Sequence, residues 1–291
     1  MGGIRIPTCM SFLLELLRLY SPWQRYRWCG TGSRPTSQQV ASLPGGPYHP
    51  SMDPEIPGLS RYVEALTDLS PAGTKEVCLV RELDSDPPDV LLVLDASFNP
   101  PTTAHWSLVQ KGCDAVGTEH AALVLASANV DKDAGISDLA VRLAMLDELA
   151  ATRPQTAVAT CGYARFVDKA DALGPLFPQA RLVFAIGHDT LLRLFDEKYY
   201  ETMDAELEVL FSKAGFLVAN RDTGDLAQTE AYLDDPARRS YREAIQLLPL
   251  PSNLASISSS EVRARLGRGA SIRGLVPSPT EAFIARFDLY K

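Results

Sequence analysis

Residues 91 to 108 read LLVLDASFNPPTTAHWSL, an apolar run that stops abruptly at a polar loop holding two prolines, two threonines and a histidine. Four later runs share its continuous apolar character: HAALVLAS at 120 to 127, TAVATCGY at 156 to 163, RLVFAIG at 181 to 187 and FLVANR at 216 to 221. Hydrophobicity that is continuous rather than alternating suits strands covered on both faces. Helical segments lie between them. The clearest, SDLAVRLAMLDELAAT from Ser137, has an acidic first turn and sets Leu139, Leu143, Leu146 and Leu149 on one side. Strands alternating with helices at this spacing imply βαβ units, so the chain is expected to be α/β, with a Rossmann-like open parallel sheet and helices on both faces.

In such sheets ligands collect beyond the carboxyl ends of the strands. There Pro100 and Pro101 keep the chain extended, Thr102 or Thr103 can cap a new helix, and His105 falls in its first turn. A histidine beside free N–H groups and the positive end of a helix dipole is placed to hydrogen-bond a phosphate. A capped helix bearing one histidine is also plain architecture. A second constellation, SISSSEVRARLGRGASIRGLVP, runs from Ser256 to Pro277. Ser258 with Glu261 matches a capping box and needs no ligand. Yet Arg263, Arg265, Arg268 and Arg273 follow three hydroxyls in an otherwise acidic chain, a combination suited to a polyphosphate. Arg263 and Arg265 lie about 200° apart around a helix and cannot both face one phosphate. Arg263, nearer the helix start, is the candidate.

Composition narrows the class. The 291 residues are 46% hydrophobic and 22% charged, enough for one sizeable core. A net charge of −8 argues against nucleic acid or a membrane as the main partner. Cys9, Cys29, Cys78, Cys113 and Cys161 are odd in number and lack a CxxC pair, which fits reduced thiols inside a cell. Residues 1–52 hold five arginines against Glu15, a local +4 that leaves −12 for residues 53–291. The division expected is a disordered or targeting extension over 1–52 and one domain over 53–291, with its motifs in 88–291. Arginine-rich and acid-poor, the extension can be read as a mitochondrial presequence, a disordered tail, or a reading frame that properly opens at Met52. The cytoplasm or nucleus is otherwise the expected location.

SFNPPTTAH followed about 150 residues later by ISSSEVR resembles the paired GxFNPxTxxH and ISSTxxR signatures of the nucleotidylyltransferase superfamily, in the pattern of nicotinamide mononucleotide (NMN) adenylyltransferases. NVDK, RLAML, GHDTLLRLFDEKYY, ANR and GLVPSPTEAFIARFDLY follow in the family's order, and VLDASFNPP, FVDKADAL and FDEKYY are similar to its fungal, promoter-of-filamentation-like branch. The resemblance covers about residues 88 to 291.

It implies transfer of AMP from ATP to NMN, giving NAD and pyrophosphate, with Mg²⁺ arriving on ATP and no metal held by the protein itself. By the same resemblance His105 and Thr102 would act at the α-phosphate and Lys132 on substrate phosphates. Ser258, Ser259 and Arg263 would hold the β and γ phosphates, and Gly187 and Asp189 would meet the ATP ribose. Ser97 and Phe98 would line the nucleotide site, while Arg142 would be structural. Lys132 reads equally as a solvated lysine and Asp189 as a helix cap.

Three departures stand out: Ala96 in place of a glycine, Ser260 in place of threonine, and no tryptophan where the family stacks the nicotinamide. Tyr199 or Tyr200 could supply that aromatic face or be core residues. Two other readings remain: a relative with another acceptor, and a nucleotide-binding regulatory protein with weak ATPase activity. Residues 224–246 read as a solvated helical excursion, either a lid or an insertion.

Overall fold

The computed structural model describes residues 56–69, 76–86, 88–127, 135–220 and 225–291. In chain order they form α1 (Leu59–Asp68), β1 (Val77–Arg81), β2 (Val90–Ala96), α2 (Thr103–Val116), β3 (Ala121–Ala126) and α3 (Ile136–Ala150). There follow β4 (Thr156–Cys161), α4 (Phe166–Leu173), β5 (Arg181–Gly187), α5 (His188–Leu194), α6 (Met203–Lys213) and β6 (Ala214–Ala219). The chain closes with α7 (Asp225–Leu233), β7 (Ile245–Leu248), α8 (Ser259–Leu266) and α9 (Ser278–Arg286). The expected extension over 1–52 lies outside the described residues.

The strands make one seven-stranded sheet in the order β1-β4-β3-β2-β5-β6-β7. Successive residues of β2 point to opposite faces. Leu92 and Leu94 pack with Val109 of α2, Leu143 of α3, Leu66 of α1 and Phe283 of α9. Leu91 and Val93 pack instead with Val167 of α4, Leu191 of α5, Leu207 of α6 and Leu233 of α7. These two cores explain the unbroken apolar strands: a strand covered on both sides has no polar face to show.

The five anticipated strands are all present and mutually parallel. Two more were not anticipated. β1 pairs antiparallel with β4 at one edge, so the sheet is parallel except there, a common compromise in large sheets. β7 joins β6 at the other edge. The anticipated solvated helical excursion is mostly exposed, but Thr229, Leu233 and Ile245 are buried, so its inner face covers the sheet and its end completes the edge. The helix expected from Ser137 begins at Ile136 behind Gly135, with no side-chain cap.

Helix α1 is tied to the rest by Asp147 of α3. This carboxylate accepts from the Tyr62 hydroxyl at 2.6 Å and pairs with Arg61 and Arg81. Burial, with the bond to Asp147, pushes the Tyr62 phenol up to about 12.

Candidate active site

From β2 the chain crosses outward to β3 and β4, then returns to the other side of β2 as β5 and continues to β6 and β7. The strand order thus reverses between β2 and β5, and a crevice opens beyond their carboxyl ends at such a point. A cavity of about 440 Å³ lies there, walled by Asp95, Ala96 and Ser97, by His105, by Gly187 and Asp189, and by Tyr199. The apolar run ends in a polar loop because its last residues are the floor of a cleft.

Thr102 caps α2 and forms a reciprocal box with His105. The His105 N–H reaches Thr102 Oγ1 at 3.3 Å, and the Thr102 N–H donates to His105 Nδ1 at 3.0 Å. A nitrogen that accepts from a backbone N–H carries no proton of its own, so the neutral ring bears its hydrogen on Nε2. The capping box turns Nδ1 toward the Thr102 N–H and so fixes the orientation of the ring. Thr102 is fully buried with its hydroxyl engaged by the ring, so any assistance it gives from this turn is to position His105. Phe98 is 1% exposed and its ring lies 5.2 Å from that of His105, so it backs the imidazole instead of walling the cavity. Its φ of 44° is a left-handed conformation uncommon outside glycine and marks a sharp turn out of β2. Ser97 walls the cavity, and its carbonyl accepts from the buried Arg142 at 3.3 Å, a structural role.

The second motif is joined to the first. Ser259 Oγ donates to the Pro100 carbonyl at 2.8 Å, and Arg263 donates to the Asn99 carbonyl at 2.6 Å. Ser258 caps α8 through the Glu261 N–H, while the Glu261 carboxylate turns to Arg265 at 2.7 Å. Arg265 is thereby directed away from Arg263. Ser258, Ser259 and Arg263 border the loop beside the cavity, and their neighbour Ile257 is the wall residue on that side.

Gly187 caps α5 with φ −91° and ψ 167°, values open to any residue. A Cβ there would meet no heavy atom within 4 Å, so packing does not demand a glycine and the space is that of the cavity. Asp189 lies in the first turn of α5 and is not its cap. His188 Nδ1 and Thr229 Oγ1, 2.6 Å apart, tie α5 to α7. The two tyrosines separate. Tyr200 also borders the cavity, but its OH donates to the Leu194 carbonyl at 2.6 Å, and burial pushes this phenol up to about 12, so its hydroxyl is committed to the fold. Tyr199 is 41% exposed at the cavity wall, with Lys198 Nζ 4.8 Å from its ring centre. Trp106 packs on the core, while Lys132, Trp23 and Trp28 lie outside the described residues.

Sequence reasoning missed four cavity residues and a partner beneath them. Asp95 pairs with Lys169 of α4, whose side chain is wholly buried. Burial pushes the Asp95 carboxyl up, and Lys169 opposes that shift. Arg165, at the start of α4, bonds Asp168 at 2.8 and 2.9 Å and Glu206 at 2.7 Å. The Asp168 bond chiefly holds the guanidinium above its ordinary value, and backbone N–H groups of Thr202 and Glu201 hold the Glu206 carboxyl below its own. Arg193 faces the cavity one helical turn after Asp189, and Asn220 clasps Leu250 through bonds of 2.6 and 3.1 Å. One signal was legible: Lys169 stands on the apolar stripe formed by Phe166, Ala170 and Leu173, where a charge requires a partner.

A fold holding two phosphate-type motifs in one unit has known counterparts. A Schizosaccharomyces pombe protein named "Putative nicotinamide mononucleotide adenylyltransferase" is 30% identical over 216 residues, spanning 71% of this chain and 82% of its own. A Neisseria gonorrhoeae "Probable nicotinate-nucleotide adenylyltransferase" is 25% identical over 201 residues, 67% of this chain and 95% of that one. Among solved structures, Plasmodium falciparum nicotinic acid mononucleotide adenylyltransferase complexed with APC shares the fold, with TM-score 0.51 and 17% identity over 69% of this chain and 96% of that one. The cytidylyltransferase-like family model matches residues 93–265, from the core of β2 to the α8 arginines. This chain is an enzyme of nucleotidyltransferase type and belongs to the cytidylyltransferase-like family.

Proposed function

We propose that this chain transfers AMP from ATP to NMN, forming NAD and pyrophosphate. The observation that carries the reading is the joining of SFNPPTTAH to ISSSEVR at the switch point, through Ser259 to Pro100 and Arg263 to Asn99. The acceptor's 5′-phosphate attacks the α-phosphorus of ATP. It is already anionic, so the protein needs no nucleophile and must align two phosphates and stabilise growing charge. His105 donates from Nε2 at the positive end of α2, held there by Thr102. Arg263, Ser258 and Ser259 take the outer phosphates, and Lys132 meets substrate phosphate. The Gly187 backbone lets the nucleotide approach closely, with Asp189 accepting from ribose hydroxyls. Tyr199 offers the aromatic face that a tryptophan supplies elsewhere in the family, and its π-face suits a cationic pyridinium ring.

Magnesium fits as a passenger on ATP. It prefers phosphate oxygens and water as ligands. The choice of NMN is supported by the Schizosaccharomyces pombe relative's printed name. The test is chromatography of the full chain with ATP, Mg²⁺ and either NMN or nicotinate mononucleotide. NAD and pyrophosphate are the expected products. ADP or AMP without a dinucleotide would instead favour a regulatory nucleotide-binding protein.

A further inference from the structure

The loop that leaves β2 turns at Phe98 with φ 44°, a left-handed conformation that a bulky residue keeps only when its surroundings hold it there. Two guanidinium groups grip the loop on either side of that turn. Arg263 of α8 donates to the Asn99 carbonyl at 2.6 Å, and Arg142 of α3 donates to the Ser97 carbonyl at 3.3 Å. Arg263 belongs to the second signature, whereas Arg142 belongs to neither. Arg142 is 2% exposed and pairs with Asp138, one helical turn earlier in α3. Leu139 and Leu146, a turn to either side of it, are core residues, so burial alone would favour another leucine here. The orientation that reaches Ser97 also leaves the buried Arg142 Nε without an acceptor among the described residues, so the contact with the loop is kept at a cost. Tyr290, beyond α9, joins the cluster: burial pushes its phenol up while Arg142 and Arg263 oppose the shift, which puts both cations within electrostatic reach of its hydroxyl. What the grip secures faces the cavity. Ser97 is a wall residue, and the Phe98 ring backs the His105 imidazole at 5.2 Å. We propose that Arg142, braced by Asp138, is a positioning residue of the reaction, holding the strained Ser97–Phe98 turn, and through it the His105 ring, in the arrangement that meets the phosphates of ATP. The inference rests on the adenylyltransferase reading above for its ligand.

The test is calorimetric binding of ATP with Mg²⁺ to the full chain, which does not depend on turnover, with melting curves showing that each variant is folded. Arg142→Met keeps the buried aliphatic volume, removes the donors and leaves Asp138, whose side chain is 44% exposed, to water. Its affinity for ATP should fall at least about tenfold. Arg142→Lys restores the charge and a donor without the fork that reaches two acceptors, and should return affinity to within about threefold of wild type. Asp138→Asn, at the exposed end of the pair, should weaken ATP binding about twofold to threefold and covers the case in which the buried variants do not fold. An arginine that only supports the fold would lower the melting temperature and leave the affinity of the folded molecules alone. ATP binding by Arg142→Met within about twofold of wild type therefore overturns the proposal. A lysine variant as weak as the methionine one, an unchanged affinity in Asp138→Asn, or a wild-type chain that binds no ATP overturns it as well. Absence of dinucleotide in the chromatographic assay, with these affinities as expected, would fail the transferase reading alone.

Discussion

His105 has two separable duties, and substitutions can divide them. As the third residue of α2 it accepts the Thr102 N–H on Nδ1; in the proposed reaction it donates from Nε2 to a phosphate. In His105→Ala the N–H of Thr102, a fully buried residue, loses its acceptor, at a cost of about 1–3 kcal/mol. The same variant removes a donor from the transition state, which lowers kcat by about 10²- to 10³-fold. His105→Glu restores the box, because a carboxylate at this position is the usual partner of a threonine cap and also suits the positive helix end. It should recover most of the lost stability while repelling phosphate, leaving activity below that of the alanine variant. Urea denaturation followed by circular dichroism reads the first effect, and chromatographic detection of dinucleotide and pyrophosphate reads the second. An alanine variant within about tenfold of wild-type kcat/KM would refute the catalytic duty, and a glutamate variant no more stable than alanine would refute the capping one.

Arg263→Ala removes the bond to the Asn99 carbonyl as well as a phosphate contact, so KM for ATP should rise at least about tenfold; steady-state kinetics at varied ATP decides this. Gly187→Val places side-chain atoms in the space a glycine leaves open, so the melting temperature should hold while ATP binding by calorimetry weakens severalfold. Tyr199→Ala should raise KM for the acceptor with little change in kcat, whereas Tyr200→Phe should cost about 1 kcal/mol in urea denaturation through its lost bond to Leu194 and leave KM alone. Lys169→Met strands a buried carboxylate and should cost about 3–5 kcal/mol at pH 8. In that variant burial alone raises the folded pKa of Asp95 above its ordinary 3.8. The deficit is therefore small below the ordinary value and grows as pH rises through the folded one. A deficit equal at pH 4 and pH 8 would contradict the buried carboxylate.

Much of this was written in local patterns. Continuous apolar runs located five strands because burial on both faces leaves a composition that needs no partner to be recognised. The two motifs were legible for a similar reason: a hydroxyl, a proline pair and a histidine specify a cap within a few residues. What stayed hidden depends on long-range pairing. β1 and β7 are short edge strands, of five and four residues, whose identity comes from the neighbour they join.

The Asp95 and Lys169 pair shows where the boundary falls. A lysine on an apolar helical stripe announces that some carboxylate must meet it, since a lone buried ammonium is too costly to keep. Which carboxylate is settled by the crossing of α4 over β2, 74 residues earlier in the chain. Val167 and Leu173 fill the core from the same helix. Fold and cavity thus share residues: the packing that seats α4 also delivers Lys169 to Asp95 and Arg165 to the cavity wall.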